Sequence, residues 1–211
     1  MPLTKLKVLL IDDHYLFLEG MHRLLANVVT EVIPFGDAEA ALQDLSALNP
    51  DLVLIDLSMP GMDGLSFIKA VEARQLLIPV AVLSATENIS EIRKVLRAGA
   101  FGFIPKSANR ESLLEALTVI IGGQVYVPED IAIRLPTRGV DEGKDSYGLS
   151  PRQIQILELV AKGYPNKKIS LILYIKDETV KTHLRNIFQI LAVNTRTEAV
   201  ARALELNLLE N

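Results

Sequence analysis

Apolar and polar residues follow two rhythms along this chain. Short, nearly unbroken apolar runs are each followed by a longer stretch in which apolar residues return every third or fourth position. A short run bounded by turn residues reads as a buried strand, and the longer spacing reads as an amphipathic helix. The pattern predicts strands over residues 6–11, 31–35, 52–57, 78–83 and 100–104. It predicts helices over 15–28, 38–48, 65–74, 89–98 and 110–121; in 15–28 the apolar stripe is Leu16, Met21, Leu24, Leu25 and Val28. Strands alternating with helices of this length imply a parallel sheet covered on both faces. Five such units in the order 2-1-3-4-5 place a topological switch point beside strands one and three, where such sheets bind their ligands.

The rhythm breaks after Gly122-Gly123. Residues 128–148 hold three Gly and two Pro, four acids between Asp130 and Asp145, and no sustained period. They read as a flexible linker, with Ile131, Ala132 and Ile133 allowing a short helical turn. Helical spacing returns over 151–162, 166–174, 178–191 and 197–206, with short connections between. That is a separate all-α unit of four helices, and its tight central turn suits a helix-turn-helix. The divisions expected are therefore 1–128, 129–148 and 149–211.

Composition adds an asymmetry. The net charge is -4, which does not suit a nucleic-acid binder. From Leu149 onward, however, nine Lys and Arg stand against six Asp and Glu; of the chain's totals of 22 and 26, that leaves 13 against 20 before it. An acidic front and a mildly basic tail fit a regulatory unit joined to one that binds DNA. There is no cysteine, hence neither a disulfide nor a thiolate metal site. The longest apolar run, residues 76–83, contains Pro79 and falls far short of the ~18 residues a membrane span needs. With no signal-like start, a soluble cytoplasmic protein without membrane contact is expected.

The chemistry lies at the ends of the strands. Val53-Leu54-Ile55 runs into Asp56, followed by a turn through Pro60, Gly61 and Gly64. The first strand runs into Asp12-Asp13. Three acids at neighbouring strand ends repel one another unless a cation holds them, and an all-oxygen set suits Mg²⁺. A carboxylate so supported can attack phosphorus and form an aspartyl-phosphate. Strand four ends at Ser84 and strand five at Phe103-Ile104-Pro105-Lys106. A hydroxyl and an ammonium group converging there would each bind one phosphoryl oxygen. Asp12-Asp13 could equally cap the next helix, and His14 reads as a helix-start residue rather than a catalyst.

In these features residues 5–127 resemble a two-component receiver domain, of flavodoxin-like fold. Residues 149–209 resemble the LuxR-type (NarL/FixJ) helix-turn-helix, carried by Asp177-Glu178-Thr179-Val180-Lys181-Thr182-His183-Leu184-Arg185-Asn186-Ile187. The two resemblances cover nearly the whole chain. They imply a DNA-binding response regulator, phosphorylated at Asp56 by a histidine kinase, with Mg²⁺ held by Asp12, Asp13, Asp56 and the backbone carbonyl of Ser58. Ser84 and Lys106 would bind the phosphoryl group, and Phe103 would be the aromatic switch that moves inward. Family members usually carry Tyr or His at the switch position, so the hydroxyl is lost here.

In the output unit, Val180, Leu184, Ile187 and Leu191 form the expected buried stripe, with Lys181, Thr182, Arg185 and Asn186 opposite. The resemblance assigns base contacts to Lys181, Thr182 and Arg185, and phosphate contacts to Lys167, Lys168 and His183. It assigns pairing of a phosphorylated homodimer to Val200, Ala203 and Leu204 of the last helix, setting two recognition helices about 34 Å apart on double-stranded DNA. Departures from the family pattern are Gln153 and Gln155 where Glu is usual, Pro165 and Lys168 in place of a Ser-x-x-Glu cap, and Lys176 in place of a Ser cap. Missing caps of ~0.5–2 kcal/mol each predict a less stable output unit. Leu171 and Ile172 put apolar side chains where polar ones are common, suggesting a docking surface.

A phosphohydrolase with an Asp nucleophile needs a second acid two residues on, where this chain has Ser58, so a dedicated enzyme is not expected. A receiver that works unphosphorylated, as a protein-interaction module, is the alternative reading, and the intact set of acids argues against it.

Overall fold

A computed structural model describes residues 2–74, 76, 78–135, 149, 151–173 and 177–209. The chain divides into two compact units, the first ending at Leu135.

The first unit is a five-stranded parallel sheet in the order β2-β1-β3-β4-β5. Its strands are β1 (Lys7–Ile11), β2 (Glu31–Phe35), β3 (Leu52–Asp56), β4 (Val80–Ser84) and β5 (Gly102–Pro105). They alternate with helices α1 (Tyr15–Ala26), α2 (Ala38–Leu48), α3 (Gly64–Ala73), α4 (Ile89–Arg97) and α5 (Arg110–Ile121). Every residue of β3 and β4 is buried, as expected of central strands sandwiched between helix layers. Most helix starts are fixed by a side chain that accepts from a free backbone N–H: Asp37 for α2, Asp63 for α3, Asn88 for α4 and Asn109 for α5. Each such cap is worth ~0.5–2 kcal/mol.

This unit runs further than its periodicity suggests. Tyr126 continues the edge of the sheet by exchanging backbone hydrogen bonds with β5: the Phe103 N–H donates to the Tyr126 carbonyl at 2.9 Å, and the Tyr126 N–H donates to that of Phe101 at 3.0 Å. Helix α6 (Glu129–Arg134) follows, with Ile131 fully buried and Arg134 3.5 Å from Glu87. The opening of the expected linker is thus a helix packed on the first unit. Ile131 supplies the anchor, and the short helical turn expected at Ile131, Ala132 and Ile133 lies within this helix. The rest of the expected linker, residues 136–148, lies outside the described residues.

The second unit holds α7 (Pro151–Ala161), α8 (Asn166–Ile172), α9 (Asp177–Ile190) and α10 (Arg196–Glu205). Its core is built from Leu149, Ile156, Leu157, Val160, Ile169, Val180, Leu184, Ile187, Leu191, Ala199 and Ala203. Helix α8 starts at Pro165 with no side-chain cap. The expected cap residue of α9, Lys176, lies outside the described residues. Helix α10 has a full capping box, Thr195 and Glu198 bonding each other's backbone N–H groups.

Candidate functional site

The acids meet because the strands are in register. Ile11 pairs with Ile55, so Asp12 stands level with Asp56 at the carboxyl ends of β1 and β3. Asp56 pairs with Leu83 and Ser84 with Pro105, which carries the same level across to β4 and to Lys106. Asp12 is fully buried, Asp56 and Ser84 nearly so, and Asp13 exposed.

Lys106 ties the group together. Its Nζ lies 2.6 Å from Asp12 Oδ2 and 2.9 Å from Asp56 Oδ2, and 4.7 Å from the centroid of the Phe17 ring. Burial alone would pull this ammonium below its ordinary value. Its hydrogen bonds to Asp12 and Asp56, and their charges, outweigh that and hold it above. Three carboxylates against one ammonium leave an excess of negative charge. Donor atoms of Asp12, Asp13, His14 and Asp56 lie within 4.8 Å of one another, so this acidic pocket can hold a metal ion.

The loop after β3 is pinned beside the pocket. Gly61 takes a φ of 72°, which favours glycine, and the Gly64 N–H donates to the Leu57 carbonyl at 3.0 Å. Ser58 is exposed on this loop. The Ser84 Oγ accepts from the Thr86 N–H at 3.2 Å. Phe103 is fully buried. Its ring therefore lies in the interior of the first unit in this conformation.

Among the residues expected to touch DNA, Arg185, Lys167 and Lys168 are exposed, and Lys181 and Thr182 are partly so. Lys181 pairs with Asp177 one turn earlier at 3.0 Å, and Lys168 Nζ stacks 3.7 Å from the centroid of the Tyr164 ring. A surface ion pair like that of Lys181 and Asp177 is worth ~0–1 kcal/mol.

Three expectations need correction. His183 is only 3% exposed, so it is a core residue rather than a phosphate contact; it lies three residues after Val180 and four before Ile187, on the apolar stripe itself. Asn186, expected on the outer face, is buried and accepts a hydrogen bond from Gln153 Nε2 at 2.6 Å. That bridge ties α7 to α9. Ala203, expected to pair two copies, is fully buried in its own unit with Ala199. Val200 packs partly against the same core, and Leu204 stays 38% exposed. Leu171 and Ile172 are exposed as expected, at 69% and 41%.

Sequence reasoning did not reach the Gln153–Asn186 bridge, the Tyr126 pairing or the His14 ring beside the acids. It also missed Arg196, which donates to Asn166 Oδ1 at 3.0 Å and to the Tyr164 carbonyl, locking the turn between α7 and α8. Burial pulls this guanidinium below its ordinary value.

Residues 8–118 match the model of the response regulator receiver domain, and residues 147–203 that of the bacterial regulatory proteins of the luxR family. The chain is 32% identical to the transcriptional regulatory protein DegU of Brevibacillus brevis, over 96% of this chain and 94% of that protein. It is also 32% identical to the nitrate/nitrite response regulator NarL of Escherichia coli K12, over 91% of this chain and 92% of that one. Among solved structures it resembles the two-component response regulator RcsB in complex with DNA, with a TM-score of 0.57 and 25% identity over 94% of this chain and 97% of that one. Among the described residues no helix is long and apolar enough to cross a membrane.

Proposed function

The chain belongs to the two-component response regulators of the LuxR-type (NarL/FixJ) family, DNA-binding transcription regulators, and on that premise we propose that its switch is a phosphoryl group on Asp56. One observation carries the proposal. A nearly buried carboxylate faces a lysine that already bridges it to a second acid, with a buried serine hydroxyl on the neighbouring strand end.

The phosphodonor is a histidine kinase. An Asp56 oxygen attacks the phosphorus of the kinase's phosphohistidine. An O–P bond forms, the P–N bond breaks, and its electron pair leaves on the imidazole nitrogen, which takes up a proton. Asp12, Asp13, Asp56 and the Ser58 carbonyl are the residues that would hold Mg²⁺, which supplies positive charge against the phosphoryl oxygens. Lys106 then leaves Asp12 for a phosphoryl oxygen, and the Ser84 hydroxyl donates to another. Moving Ser84 releases the Thr86 N–H it now holds and disturbs the start of α4. The face from α4 to α5 thereby changes the contacts it offers to a second copy.

The output is double-stranded DNA binding through α9. Lys181, Thr182 and Arg185 face base edges and Lys167 and Lys168 face phosphates. Dimerisation raises affinity for paired half-sites, with Leu204 and the rim of Val200 as the contribution of α10.

Sedimentation with and without Mg²⁺ and beryllofluoride, for the wild type and Asp56→Asn, tests this. Dimer formation by the wild type alone is expected. A wild type that binds no beryllofluoride would leave the receiver an unphosphorylated interaction module.

A further inference from the structure

His14 is spent on nothing that its position in the fold requires. It is the residue before α1, in extended conformation, yet its side chain makes no capping bond. Its ring turns back over the acids instead. Nδ1 lies 3.2 Å from Asp12 Oδ1 and 3.0 Å from Asp13 Oδ1. The His14 N–H donates to the same Asp12 Oδ1 at 2.9 Å, which fixes the turn that aims the ring.

The two lobes of the pocket are chemically distinct. Lys106 takes Oδ2 of Asp12 and Oδ2 of Asp56. The Oδ1 atoms of Asp12 and Asp13 face the imidazole. Adjacent ligands around an octahedral ion, each ~2.1 Å from it, are ~3.0 Å apart. The Nδ1 to carboxylate separations are of that size. The side chain is 67% exposed, so solvent can take the Nε2–H while Nδ1 turns its lone pair inward.

We propose that the His14 imidazole is a ligand of this metal site and shifts its selectivity from Mg²⁺ toward Mn²⁺ and Co²⁺. Carboxylates alone suit Mg²⁺. One imidazole nitrogen in the set favours first-row transition ions, in the order Mg²⁺ below Mn²⁺ below Co²⁺. The inference rests on the acid pocket being a metal site.

The same separations also fit a protonated Nδ1 donating hydrogen bonds to the two carboxylates, and the test separates the two arrangements. Mg²⁺, Mn²⁺ and Co²⁺ are titrated calorimetrically into the full chain and into His14→Ala. The expected result is a fall in the Co²⁺ to Mg²⁺ affinity ratio on the order of tenfold or more in the variant. Electron spin-echo modulation of Mn²⁺ bound to the wild type is expected to show a directly coordinated nitrogen, a readout that needs no variant. An unchanged ratio, or bound Mn²⁺ without nitrogen coupling, overturns the role of His14 and leaves the acid site standing. A wild type that binds none of the three ions overturns the acid site as well.

Discussion

Gly64→Ala asks how closely the phosphoacceptor strand is held. Gly64 opens α3 directly behind the end of β3. A Cβ built there would lie 2.6 Å from the Asp56 carbonyl oxygen and 3.0 Å from Leu57 Cα. Both are backbone atoms and cannot swing away. Ordinary contact begins at 3.4 Å, so α3 and the end of β3 must separate by about 0.8 Å, the difference from 2.6 Å. Overpacking of this sort costs ~1–3 kcal/mol. A site of this kind tolerates displacements of only ~0.5 Å. The variant should therefore lose urea stability and bind beryllofluoride more weakly. Gly20→Ala is the matched control. Gly20 is exposed inside α1 with nothing within 4 Å of the new Cβ, so the same change should stabilise by ~0.5–1 kcal/mol. Urea denaturation of both variants, followed by mimic titration, reads the contrast. A Gly64→Ala protein with wild-type midpoint and affinity would refute the clash.

Two further outcomes concern the output unit. Asn186→Leu removes the acceptor of the buried Gln153 amide, and should cost ~1–3 kcal/mol in a urea melt while weakening DNA binding; a neutral melt would show that the bridge does not hold α7 to α9. Glu198 is held below its ordinary value of 4.5, first by the Asn194 backbone N–H and then by Thr195. Its folded pKa is depressed, so its contribution is complete above pH 4.5 and is lost as pH falls through the folded value. Glu198→Gln should flatten the acid limb of the stability profile, and an unchanged limb would count against the capping box.

The first unit was legible because its signals are local and repeated. Buried parallel strands read as apolar runs, each acid or lysine sits where a run stops, and the predicted β2, α2 and α5 coincide with the observed elements. What escaped depends on contacts between segments. His183 reads as polar and is therefore assigned to a phosphate, although its spacing from Val180 and Ile187 puts it on the buried stripe. Asn186 needed its partner on α7, 33 residues away, to explain its burial. Ala203 is small enough to fit either an interface or a core, and only the packing around Ala199 decides between them. Tyr126 joins the sheet through backbone atoms alone, which leave no mark in a pattern of side chains.

The most direct measurement is mapping of the phosphoryl group. The full chain, Asp56→Asn and Lys106→Met are incubated with Mg²⁺ and a small phosphodonor such as acetyl phosphate, and their intact masses are recorded. The wild type should gain one phosphoryl group, located on Asp56 by peptide analysis. Asp56→Asn should gain none, and Lys106→Met should gain the group without the change in oligomeric state. A phosphoryl group on Asp56→Asn, or on any other residue of the wild type, would contradict the assignment of Asp56 as the switch.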